Sequence, residues 1–145
     1  GVKTISGLIM PASEDYLGSL GNIVLMFIFD YIVAYTVLGL GAMYKKKIKN
    51  DSISLGLGAF TALSLRYISH IISGYILYGA WAEWFFTQEG FPAWGARLVA
   101  SVSPELLGLI YSVVYNGMYM LPEIIITAVV SLLLARIPKI VTKIS

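Results

Sequence analysis

Three apolar stretches, each long enough to cross a lipid bilayer, constrain this chain more than any other feature. They run from about Gly21 to Tyr44, from about Ile53 to Gly79 and from about Leu106 to Ala135. A hydrocarbon core of about 30 Å needs roughly 20 helical residues, and every stretch exceeds that. Lipid offers no partner for bare backbone groups, so each stretch must fold as a helix that satisfies its own N–H and C=O groups. Composition agrees, since 12% of the 145 residues are charged where a soluble domain usually has about 25%. The mean hydropathy is +0.81. The expected fold class is all-α: a polytopic membrane helix bundle with three complete transmembrane helices, forming one membrane domain over residues 1–145.

Charge is divided unevenly between the connections. Lys45, Lys46, Lys47 and Lys49 crowd the short loop after the first stretch, and Arg136, Lys139 and Lys143 follow the third. Glu14 and Asp15 precede the first stretch, and the region between the second and third holds Glu83, Glu89 and Glu105 against Arg97. Lysine and arginine favour the cytoplasmic side of a membrane. One topology satisfies all three spans: lysine loop and C-terminus cytoplasmic, N-terminal segment and the long loop 80–104 external. That loop contains Trp81, Trp84, Phe85, Phe86, Phe91 and Trp94. It reads either as an aromatic belt at the lipid headgroups or, in part, as a lid over an outward-facing pocket. Gly39, Gly41, Gly56, Gly58 and Gly74 are expected to let helices approach closely.

Several function classes drop out. With no Cys there are no disulfides, thiolate metal sites or Cys nucleophiles, and a single His rules out a multi-His metal site within one chain. No G-x-x-x-x-G-K-[ST] loop is present, so the chain does not hydrolyse ATP by that route. Gly1–Met10 lacks the layout of a signal peptide, because Lys3 is followed by only a short, broken apolar run.

The informative residues are those that lipid rejects. Asp30, Arg66, His70, Asn116 and Glu123 all lie inside apolar stretches. A charge at mid-membrane costs about 2.5–3.5 kcal/mol on insertion scales, so such groups usually face a bundle interior or a cavity. At 1.5 Å per helical residue, counting from the cytoplasmic ends puts Glu123 about 18 Å deep, Arg66 about 20 Å and Asp30 about 21 Å. His70 follows at about 26 Å and Asn116 at about 29 Å. Three separate parts of the sequence therefore deliver polar groups to one layer in the outer half of the bilayer.

Each helix also gathers its polar groups on one side. Arg66 and His70 are four residues apart and share a face. Tyr111, Tyr115 and Tyr119 step by four toward Glu123, with Asn116 in the same arc. Pro122 removes a backbone donor inside the third stretch and is expected to kink it. Two readings stay open for most of these residues. Arg66 with Glu123 or Asp30 is either an ion pair that holds helices together or part of a site; His70 is either a packing residue or a ligand contact. The tyrosine stripe is either helix packing or a binding wall, with Tyr111 and Asn116 nearest the external mouth. With Arg66 cationic, Asp30 and Glu123 anionic and His70 neutral, the layer carries one surplus negative charge. Aromatic faces also favour cations, so a flat cationic ligand suits such a pocket.

The stretch Leu65-Arg66-Tyr67-Ile68-Ser69-His70-Ile71-Ile72-Ser73-Gly74, then Tyr111-Ser112-Val113-Val114-Tyr115-Asn116-Gly117 and Leu121-Pro122-Glu123, resembles the thiamine-specific S components (ThiT family) of energy-coupling factor (ECF) transporters. The pair Asp30-Tyr31 is similar to that family's acidic-Tyr pair. The resemblance implies a six-helix membrane fold whose site lies near the outer face, built from the last three helices and a covering loop. It implies ligand-binding roles for Asp30, Tyr31, His70, Tyr111 and Asn116. The family's stacking Trp, eight residues after the His, is Tyr78 here, with Trp81 one turn on as a substitute, and Asp30 is shorter than the family's Glu. Tyr16 matches a further binding Tyr loosely; Arg66, Tyr115 and Glu123 fall in a supporting shell. The resemblance covers the C-terminal portion of the family fold, with residues 1–10 reading as the tail of an earlier helix.

The expected function is substrate binding: a multi-pass protein of the bacterial plasma membrane that takes thiamine from outside for uptake. The resemblance implies partnership with a scaffold T component and two ATPase subunits. Apart from membrane lipid, no other partner, nucleic acid, metal or cofactor is called for. Three alternatives stand beside this reading: an S component for another flat vitamin or precursor, an intramembrane enzyme using His70 with Asp30 or Glu123 as an acid–base pair, and a structural subunit whose buried charges only pin helices.

Overall fold

Why three apolar stretches stay together is answered by their small residues and a few interhelical hydrogen bonds. The computed structural model describes residues 16–137, with side chains from residue 21 onward; residues 1–10 and the Tyr16 side chain lie outside that range. Among the described residues every regular element is a helix, and three are long and apolar enough to cross a membrane: Gly21–Ala42, Asp51–Thr87 and Pro104–Leu134. The molecule is an all-α, multi-pass membrane bundle.

The first helix, α1, changes its winding along its length. It begins as an α-helix over Tyr16–Met26, widens to a π-helix over Phe27–Val33, returns to α over Ala34–Leu38 and tightens to a 3-10 turn over Gly39–Ala42. The π segment surrounds Asp30, and Ala34 N–H reaches back five residues to the Phe29 carbonyl. Helix α2, Asp51–Tyr78, starts where the Asn50 side chain accepts the Ile53 N–H at 3.1 Å, the expected satisfaction of an orphan donor. It runs on through a 3-10 turn, Gly79–Trp81, into α3, Ala82–Thr87. After a turn comes α4, Trp94–Ser101, and then α5, Pro104–Leu134, opened by the Ser103 cap and by Pro104 in its first turn. The segment 80–104, expected as a loop, is thus mostly helical. Its aromatic residues form a core of their own, in which Phe85 and Phe86 pack with Ala82, Leu107 and Tyr111.

Close approach needs missing side chains. Gly58 of α2 lies against Gly41, where a Cβ would drive into the Gly41 carbonyl oxygen. Gly74 of α2 lies under Ser112 and Asn116 of α5. Hydrogen bonds then fix the register: Ser112 Oγ donates to the Ile71 carbonyl at 2.7 Å, and Ser69 Oγ to the Phe29 carbonyl at 2.8 Å. Tyr67 hydroxyl donates to the Val113 carbonyl at 2.7 Å. Tyr67→Phe removes that one bond and is expected to cost about 1 kcal/mol, read as a small fall in the unfolding temperature of the detergent-solubilised protein with ligand binding unchanged. The outer faces are apolar and open, with Phe27, Met118, Ile125 and Ile126 more than half exposed. Lipid is as apolar as these side chains, so that exposure costs little in a bilayer.

Candidate functional site

A cavity of about 660 Å³ opens between α1, α2, the Trp-rich segment and α5, within the usual range of about 300–1,000 Å³ for small-molecule sites. Helix α1 contributes Asp30, Tyr31 and Tyr35, and α2 contributes Arg66, His70, Ser73, Gly74 and Tyr78. Trp81, Trp84, Phe85 and Gln88 wall it at the Trp-rich end, and α5 supplies Tyr111, Tyr115, Asn116 and Tyr119. The cavity therefore brings together Asp30, Tyr31, His70, Tyr78, Tyr111 and Asn116, with Arg66, Trp81 and Tyr115 beside them. Glu123 does not line it.

The charged residues sort into two pairs. Arg66 Nη1 sits 3.0 Å from Glu123 Oε1, and His70 Nδ1 sits 3.0 Å from Asp30 Oδ1. Arg66 therefore belongs with Glu123 rather than Asp30, and its guanidinium also lies 5.8 Å from the centre of the Tyr35 ring. A carboxylate can only accept, so His70 carries a proton on Nδ1 toward Asp30, and a neutral ring leaves Nε2 as an acceptor. Nε2 is buried and has no partner among the described residues. The Arg66–Glu123 pair cancels its own charge. With a neutral His70 ring, the described residues leave one negative charge, on the Asp30 carboxylate, in a wall that is mostly aromatic.

Local backbone geometry delivers that carboxylate. A π-turn inserts extra width into a helix and often occurs at functional positions. Here the Phe29 carbonyl accepts both Ala34 N–H and the Ser69 hydroxyl, which ties the widened turn to α2 one residue before the His70–Asp30 contact.

Asn116 is less free than its side chain suggests. Its Nδ2 donates to the His70 carbonyl at 3.1 Å and to the Ser112 carbonyl at 2.9 Å, and its Oδ1 accepts from the Tyr119 hydroxyl. It lines the cavity while binding α5 to the His70 turn of α2. Tyr111 is nearly buried and packs edge-to-face on Phe85, with 5.2 Å between ring centres. Tyr31 stacks between Phe27 and Tyr35 along α1, with half its surface open.

Sequence reasoning did not place Tyr35, Ser73, Gly74 or Gln88 in a binding wall, and it left Tyr119 open between packing and wall and Trp84 and Phe85 open between headgroup belt and lid. Most were reachable by helical spacing. Ser73 and Gly74 follow His70 by three and four residues, and Tyr35 and Tyr119 extend the steps from Tyr31 and Tyr115. Trp84, Phe85 and Gln88 continue the face of Trp81, a signal visible only if the segment after Tyr78 is read as helix. A second hollow of about 490 Å³ shares no residue with the first; Tyr75, Gly79, Glu83, Glu105 and Gly108 are among its lining.

Comparison with known proteins bears on what such a cavity holds. Residues 3–142 match the profile of a family described as Thiamine transporter protein (Thia_YuaJ). The chain is 29% identical over 146 residues to a protein named Thiamine transporter ThiT of Bacillus subtilis (strain 168); the match covers 92% of this chain and 66% of that relative. The chain thus spans just under two thirds of the length of the curated relative it matches. No solved structure matches it.

Proposed function

The chain belongs to the thiamine transporter protein family, and from that premise we propose that it is the substrate-binding S component of an ECF-type transporter, holding thiamine in the aromatic cavity. The observation that carries this reading is the Asp30 carboxylate, paired among the described residues only with the His70 ring and set among aromatic rings. Thiamine has a permanently cationic thiazolium ring joined to a flat aminopyrimidine. The carboxylate balances the cation, and tyrosine and tryptophan faces attract it through their ring quadrupoles. Tyr31, Tyr78 and Trp81 offer stacking surfaces, while His70 Nε2 accepts a hydrogen bond from the ligand. Asn116 and Tyr111 hold the wall in shape. Membership in a transporter family points away from the intramembrane enzyme in which His70 and Asp30 act as acid and base.

In the bilayer, the lysine loop and the C-terminus face the cytoplasm and the Trp-rich end faces outward, in the plasma membrane of a bacterium. Thiamine enters from the outer side, and Trp81 and Trp84 help exclude water above it. Energy comes from the scaffold T component and the two ATPase subunits.

Titration of intrinsic Trp fluorescence with thiamine tests this directly, because Trp81 and Trp84 wall the cavity. A saturable change at one ligand per protein is expected, undisturbed by excess riboflavin or biotin. Displacement by either vitamin transfers the site to another substrate, and a flat titration on the folded protein removes the thiamine reading.

A further inference from the structure

We infer that Ser73 is a ligand-contacting, specificity-determining residue: its hydroxyl and His70 Nε2 together read a ligand edge that sets a hydrogen-bond donor beside an acceptor, as an amino-substituted nitrogen heterocycle does. The inference rests on the thiamine reading of the cavity, since the pyrimidine of thiamine carries an amino group next to a ring nitrogen.

Ser73 stands out by what its hydroxyl does not do. Helical Ser and Thr hydroxyls commonly bond back to a carbonyl three or four residues earlier. Thr36, Thr87 and Ser101 do so here, on the carbonyls of Ile32, Glu83 and Leu98. The buried hydroxyls of Ser69 and Ser112 instead cross to a carbonyl of a neighbouring helix. Ser73 does neither: it is fully buried, and its Oγ has no partner among the described residues. Buried polar atoms without partners are rare, and this one belongs to the wall of the 660 Å³ cavity. A ligand that fills that cavity and displaces the wall side chains covering the hydroxyl supplies the missing partner.

Its position sets the geometry. Ser73 follows His70 by three residues, so the two share a face of α2 about one turn apart. A neutral His70 whose Nδ1 proton is directed at Asp30 leaves Nε2 as an acceptor, while a serine hydroxyl can donate as well as accept. An amino group donating to Nε2, with its neighbouring ring nitrogen accepting from Ser73 Oγ, satisfies both orphaned atoms at once. No covalent step is involved.

The test is a double-mutant cycle in which one change is made in the protein and one in the ligand. Affinities of wild type and Ser73→Ala, each in lipid nanodiscs, are measured for thiamine and for an analogue whose pyrimidine nitrogen beside the amino group is replaced by C–H. Either change alone is expected to weaken binding about tenfold, the loss of one well-made hydrogen bond. The two together are expected to weaken it no more than one does. The unfolding temperature of ligand-free Ser73→Ala stays equal to wild type or rises, because an unpartnered buried hydroxyl has gone. Fully additive losses, an unchanged affinity in Ser73→Ala, or a lowered ligand-free unfolding temperature would each make Ser73 a packing residue and overturn the inference. If wild type binds neither ligand, the thiamine reading itself falls and takes this inference with it; wild-type binding with an indifferent Ser73→Ala sinks the inference alone.

Discussion

Asp30→Asn is expected to weaken thiamine binding about a hundredfold while leaving the helix bundle intact. The substitution keeps the size of the side chain and an oxygen that can still accept from His70 Nδ1, now 3.0 Å away. With a neutral His70 ring, it removes the one charge that the described side chains of the cavity leave uncancelled, because Arg66 is already paired with Glu123 at 3.0 Å. A hydrogen bond or contact to a charged group is worth about 1.5–3 kcal/mol, and about 3 kcal/mol corresponds to a hundredfold. Calorimetric titration of both proteins reads the difference. A neutral analogue of similar shape supplies the control: its affinity should be similar in the two proteins. If Asp30→Asn binds thiamine as tightly as wild type, the carboxylate is a structural partner of His70 and the charge argument is wrong.

Gly74→Ala is expected to damage both the fold and the site. A Cβ at residue 74 collides with Ser112 Oγ and comes within 2.8 Å of Asn116 Nδ2. Neither group can move freely, since Ser112 is held on the Ile71 carbonyl and Asn116 on the His70 carbonyl. Overpacking of a close contact costs about 1–3 kcal/mol, and each lost hydrogen bond adds about 1 kcal/mol. A total of roughly 3–5 kcal/mol follows from these ranges, enough to lower the unfolding temperature by many degrees and to abolish measurable thiamine binding. The double variant Gly74→Ala with Ser112→Ala removes the colliding oxygen and should recover part of the lost stability. An unchanged unfolding temperature in the single variant would mean that α2 and α5 are not locked together at this turn.

Much of this architecture was legible in the residues. Long apolar runs leave a chain few options in lipid, so three spans follow from length and hydropathy alone. The rejected polar residues, counted in from the span ends, lie close in depth because Asp30, His70 and Asn116 belong to one cavity wall. Spacing could not choose the partner of Arg66: Glu123 and Asp30 lie at similar depths, and only the rotation of the helices brings Glu123 alongside. The π-turn at Asp30 left no trace either, because a shift from i→i−4 to i→i−5 bonding needs no particular side chain. Lying between two apolar spans, the segment 80–104 reads as a connecting loop, whereas its aromatic residues gain more by folding into short helices over Leu107 and Tyr111. Ser73 was invisible for a simpler reason. A serine in a transmembrane helix is ordinary, and only the absence of a partner for its hydroxyl sets it apart.

The central claim is that thiamine occupies the cavity between α1, α2 and α5 with its cationic ring at Asp30. An experimental structure of the protein with thiamine bound tests it most directly. The account predicts the thiazolium ring within ion-pairing distance of the Asp30 carboxylate and the pyrimidine edge against His70 and Ser73. Thiamine seated instead in the hollow beside Glu83 and Glu105, with the larger cavity unfilled, would contradict it.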